Sequence, residues 1–289
     1  MTLRGRHLGA AFLFALVLAL GSFVGWRYWR ESLAPRATEA EILAANPDEP
    51  RLFRFAGNPA IIVLVVNDLA VQGEMLNRIA ALTEKRGLPR DRVVSPEELT
   101  AAIAAAGATP ATWYYGHDYS EKTLKRFVAL ANQTAGGLTG AEQRLFTMLD
   151  RISPAGGSDW LPWALITLPR AGLDPLLDDT ARATILRHEL SHGEFFSEVT
   201  YESHVMRFWR EGLSATQREA FTAFLAHEEY DTGNEALLAN EMQAYLVHTA
   251  DPRFFNAEAV GLPEAELTDL RRRFIAGMPQ SWMRSLLAR

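Results

Sequence analysis

The stretch Asp178-Asp179-Thr180-Ala181-Arg182-Ala183-Thr184-Ile185-Leu186-Arg187-His188-Glu189-Leu190-Ser191-His192 reads as one helix. It contains no proline or glycine, its first residues are N-cap candidates, and Ile185, Leu186 and Leu190 give it an apolar side. A helix brings residues four apart onto one face, so His188 and His192 project together and can share a tetrahedral metal ion. Glu189 lies one position on, where its carboxylate can reach a metal-bound water without ligating the metal. Spacing and residue types therefore match what metal-assisted hydrolysis requires. The plainer alternative is two surface histidines on an ordinary helix.

Outward from this helix, Ala164–Leu168 upstream reads as a strand, and helical patterns follow at about 200–210, 215–229, 235–248 and 263–276. The predicted third ligand is Glu241. Leu237, Glu241, Tyr245 and His248 share one helix face, and a carboxylate on an otherwise apolar stripe is costly to bury unless a cation compensates it. Glu194, Glu198, His204, His227, Glu228 and Glu229 are the other candidates within reach. Cysteine cannot contribute, because the chain has none, which also excludes disulfides, iron–sulfur clusters and a cysteine nucleophile.

His188-Glu189-x-x-His192 followed by Asn240-Glu241 on a later helix resembles the gluzincin group of zinc metallopeptidases, over residues 160–248. The resemblance implies His188, His192 and Glu241 as ligands of Zn2+, Glu189 as general base, and residues 164–168 as the possible edge strand that aligns a substrate backbone. A His or Tyr stabilises the oxyanion in such enzymes, and Tyr245 and His248 are the candidates. The metzincin pattern is not met: Phe195 stands at its glycine position and Glu198 at its third histidine. The activity implied is hydrolysis of peptide bonds in a peptide or protein substrate. The rival is a zincin-like envelope protein that binds a partner as a scaffold and catalyses nothing.

Before residue 155 the pattern is a small α/β portion. Ile61–Val66 is a buried strand, Leu69–Arg86 a helix stopped by Gly87, Val93-Val94 a short strand, and Ser95 with Pro96 opens a helix through residues 101–106. Lys122–Asn132 and Leu138–Arg151 are further helices. His117-Asp118 reads as a loop or packing feature. The predicted fold class is α+β, predominantly helical: a small α/β portion at 52–155 before a zincin-like catalytic portion at 156–289.

Residues 1–30 address the membrane. The apolar run Leu8–Trp26 spans roughly 28 Å as a helix, close to a bilayer's hydrocarbon thickness, and Trp26, Tyr28 and Trp29 supply an interfacial belt. This predicts a single-pass anchor in the cell membrane with the domain on the periplasmic or extracellular side, joined through a proline-containing linker at 31–51. The alternative is a signal peptide cleaved before Ser22, which would release an exported soluble protein. With 48% hydrophobic residues in 289, disorder is excluded, and a net charge of −6 without a basic run argues against nucleic acid as a partner. Nothing in the sequence sets the oligomeric state.

Overall fold

The computed structural model describes residues 32–152 and 162–287. The expected membrane segment at 8–26 lies outside the described residues, and among those residues no helix is long and apolar enough to cross a membrane. Among the described residues the chain is predominantly helical with one mixed sheet of five strands in the order β1-β2-β3-β5-β4. These are Arg36–Ala37 (β1), Arg51–Phe55 (β2), Ile61–Val66 (β3), Asp118–Ser120 (β4) and Ala164–Pro169 (β5). β3 and β5 run parallel at the centre, whereas β2 and β4 pair with them antiparallel. Both central strands are buried at every position, as expected of parallel strands covered on two faces.

The period of two along β3 sorts the core. Ile62, Leu64 and Val66 pack on one face against helices α2 (Leu69–Thr83), α4 (Glu121–Ala131) and α5 (Gly140–Ile152). Ile61, Val63 and Val65 pack on the other face, against Ile185, Leu186 and Leu190 of the long helix α6 (Asp179–Ser197). Gly193 lets α6 approach closely, since a Cβ there would stand 2.8 Å from Ile61 Cγ2. The six helices after α6 form a separate core of mainly large apolar side chains, from Phe195 to Met283. They are α7 (Val199–Arg207), α8 (Ala215–His227), α9 (Glu235–Gln243), α10 (Ala257–Val260), α11 (Glu264–Gly277) and α12 (Trp282–Leu287).

Several expectations need correction. The strand expected at the sheet's edge, 164–168, is interior: β5 lies between β3 and β4, so β4 is the edge beside α6. Because β5 comes from the later part of the chain, the portions divided at residue 155 share one sheet. The expected linker at 31–51 is, over its described residues 32–51, built into the fold. Thr38 and Glu41 cap helix α1 (Glu39–Ala44) reciprocally, Ile42 is fully buried, and Glu39 pairs with Arg187 of α6 at 2.6 Å. Helix α2 ends at Thr83 rather than before Gly87, because residues 84–86 turn away to pair with 229–231. Arg86 N–H donates to Glu229 O at 2.9 Å and Asp231 N–H to Glu84 O at 2.7 Å. Val93-Val94 is not a strand; the Val94 carbonyl instead accepts from Arg78 Nε at 2.9 Å.

The helix starts follow the capping chemistry. Ser95 caps α3 (Pro96–Ala105), with Pro96 in its first turn and Glu98 completing the box. Asp178 caps α6 by accepting from Ala181 N–H at 2.8 Å. Two helices close with a wider π turn, Phe208–Gly212 after α7 and Ala244–His248 after α9. The second bears directly on the site.

Candidate metal centre

Helix α6 carries His188 and His192 on the side away from Leu186 and Leu190, with Ile185 beside them on the cavity wall, and α9 crosses it with Glu241 facing them. Glu241 Oε2 lies 3.8 Å from His188 Nε2 and 3.7 Å from His192 Nε2. These separations are too long for hydrogen bonds. They lie a few tenths of an ångström above the ~3.3–3.5 Å between donors that share one tetrahedral zinc.

The hydrogen bonding around the three donors leaves their facing atoms free. Thr249 Oγ1 donates to the Ala244 carbonyl at 3.0 Å, so its oxygen accepts from His188 Nδ1–H at 2.8 Å. That places the ring proton on Nδ1 and the lone pair on Nε2, towards Glu241. The π turn is what brings Thr249 under His188. Both ring nitrogens of His192 and Glu241 Oε2 are buried with no hydrogen-bond partner. The Tyr230 hydroxyl near the Glu241 carboxyl favours its charged form. Two neutral imidazole lone pairs and a carboxylate, with His192 Nε2 and Glu241 Oε2 buried and unsatisfied, form a donor set that suits zinc.

Electrostatics tell the same story. Burial holds His192 down at about 4, with the Asn240 side chain acting against it, and burial lowers His188 well below its ordinary value. Burial, and then the nearby charges of Asp118 and Glu84, push Glu241 well above the carboxylate range. Glu189 is raised in the same way, by burial first and then by Asp118, Glu241 and Glu84. Neutral imidazoles beside carboxyls that are costly to ionise is what a cation site looks like without its cation.

Glu189 sits one residue along α6, and its Oε2 is buried without a partner. It is pressed against Gly116: a Cβ on Gly116 would overlap Glu189 Oε1 and stand 2.7 Å from its Cδ. His188, Glu189 and Gly116 line a cavity of about 310 Å³, together with Tyr114, Tyr230 and Tyr245. That volume lies at the lower end of the range for ligand pockets.

The structure places the two oxyanion candidates differently. Tyr245 lines the cavity, with its ring edge-on to His188 at 4.8 Å between centroids. His248 does not reach it. The π turn carries its side chain to the rear, where Nε2 meets the Tyr201 hydroxyl at 3.3 Å and the ring lines a separate cavity of about 70 Å³. Among the other candidate ligands, Glu194 accepts from Asn58 Nδ2 and Trp282 Nε1, each at 2.8 Å. His204 Nε2 bonds the Phe274 carbonyl at 3.1 Å, Glu198 and His227 are exposed, Glu228 stands on the cavity wall, and Glu229 pairs with Lys85 at 3.6 Å.

Sequence reasoning missed Asp118. On β4 it faces α6, and its Oδ2 lies 3.9 Å from His192 Nε2. Alternation around it was the available signal: His117 and Tyr119 are buried on the far face, where His117 Nδ1 meets the Tyr119 hydroxyl at 2.8 Å. Gly116, Tyr230 and Thr249 carried no such signal, since each matters only through a long-range contact. Compared with protein-family models, curated proteins and solved structures, the chain matches none.

Proposed function

We propose that this chain is a zinc-dependent metallopeptidase of zincin-like type. Residues 8–26 anchor it in the cell membrane, with its domain on the periplasmic or extracellular side. One observation carries the reading: His188 Nε2, His192 Nε2 and Glu241 Oε2 converge, the last two buried with no partner, beside the buried carboxylate of Glu189, whose Oε2 is also unpartnered. A zinc ion held by His188, His192 and Glu241 supplies Lewis-acid activation of water and of a carbonyl group.

The protein's own residues do the rest. Glu189 takes the proton of the attacking water at its Oε2, the oxygen without a partner, and delivers it to the leaving amine. Its raised affinity for protons suits it to hold one between those steps. Gly116 fixes its position by contact. The Tyr245 ring packs edge-on against His188 and lines the cavity beside it.

The test uses the full-length chain purified in detergent. The wild type should retain about one zinc per chain after dialysis and cleave peptides in a mixed library read by mass spectrometry. Glu189→Gln should keep the zinc and lose the cleavage. Full cleavage by that variant would refute the mechanism. Absence of zinc from folded wild-type protein would refute the site.

A further inference from the structure

Asp118 belongs to none of the roles above, yet it comes as close to the histidines as the third ligand does. Its Oδ2 lies 3.9 Å from His192 Nε2, against 3.7 Å for Glu241 Oε2 from the same atom. Ligand atoms of Asp118, Glu189 and His192 all lie within 4.8 Å of one another, as do those of His188, His192 and Glu241. Two donor triads therefore share a single imidazole.

The second triad is built rather than incidental. β4 turns Asp118 towards α6 because His117 and Tyr119 fill the opposite face. Glu189 is 6% exposed and His192 0%, and Glu189 Oε2 and both His192 nitrogens have no hydrogen-bond partner. The nearest basic side chain on the cavity wall, Lys85, is turned elsewhere: its Nζ pairs with Glu229 at 3.6 Å and lies 4.6 Å from the Tyr114 ring centre. Two carboxylates thus lie together beside an imidazole whose Nε2 stands 3.9 Å from Asp118 Oδ2, too far for a hydrogen bond.

We propose that Asp118 and Glu189 hold a second divalent cation, adjacent to the one assigned to His188, His192 and Glu241. His192 Nε2 has one lone pair and can serve only one ion at a time. The second ion therefore rests on the two carboxylates and solvent, and it binds more weakly than the first. Because it recruits Glu189, its binding removes the base of the reaction proposed above. The inference rests on that reading only in this last consequence, so excess zinc silences the protein rather than activating it.

The experiment is equilibrium dialysis of the full-length chain in detergent against rising concentrations of zinc alone, with bound metal counted by mass spectrometry. Wild type should fill in two steps, to about two ions per chain. Asp118→Asn, which keeps the side chain's shape, should lose the weaker step and stop at about one, and Glu189→Gln should do the same. A wild type that saturates at one ion, or an Asp118→Asn variant that still takes two, would overturn the proposal and leave the metallopeptidase reading standing. A folded wild type that binds none would overturn both.

Discussion

Gly116→Ala isolates the position of Glu189 from everything else in the site. Gly116 does not adopt a positive φ, so alanine meets no backbone strain there. What its Cβ meets is the Glu189 carboxylate: it would overlap Oε1 and stand 2.7 Å from Cδ and 3.0 Å from Cγ. Carbon atoms pack at about 3.5–4.0 Å, so the carboxyl group must retreat by about 1 Å. It can do so, being the end of a flexible side chain, and the fold should lose about 1 kcal/mol, the lower end of the usual cost of overpacking. A displacement of that size at a reacting group costs on the order of 100-fold in turnover, or about 2.7 kcal/mol of barrier. The expected result is a kcat about 100-fold lower with zinc content unchanged, since Glu189 is not a ligand of the first ion. Turnover would be measured on a fluorogenic peptide taken from the library hits, at stoichiometric zinc, with bound metal counted on the same sample. In a Glu189→Gln background the alanine should cost nothing further. Wild-type turnover in Gly116→Ala would refute the assignment of Glu189 as a base held by this contact.

Two further outcomes follow from the same geometry. Thr249→Val removes the hydroxyl that accepts from His188 Nδ1–H at 2.8 Å, frees the ring to change tautomer, and should weaken zinc binding about 10–100-fold in competition with a chromophoric chelator; unchanged affinity would show that Thr249 does not orient the ligand. His204 gives the pH dependence of a site remote from the metal. Burial lowers it below its ordinary 6.5, its Nε2–H serves the Phe274 carbonyl, and its Nδ1 is buried without a partner. Between the folded and unfolded values the unfolded chain binds the extra proton, so this contribution to stability is complete above pH ~6.5 and is lost as pH falls. Relative to His204→Gln, wild type should lose stability below that pH in urea melts, and parallel curves would contradict the assignment.

What was legible in the sequence is what short-range chemistry determines. Asp178 and Ser95 announce their helices because an N-cap acts on amide groups two or three residues away. Ile61–Val66 and Ala164–Leu168 read as strands because burial on both faces leaves an unbroken apolar run. His188, Glu189 and His192 share one helix, and Glu241 could be singled out because a carboxylate on an apolar stripe needs a cation. β1 and β4 are two and three residues long, too short for any period to show, and they exist only because β2 and β5 offer them partners. Asp118 shared that obscurity, for its direction depends on the register Asp118↔Ile166 and not on its neighbours in sequence. A shift of one residue in that pairing would turn Asp118 into the core and bring His117 or Tyr119 to the motif helix. The register of a three-residue strand therefore decides whether a second carboxylate stands beside the first metal site. That is why the second-ion experiment tests the topology of the sheet as directly as it tests the chemistry of the pocket.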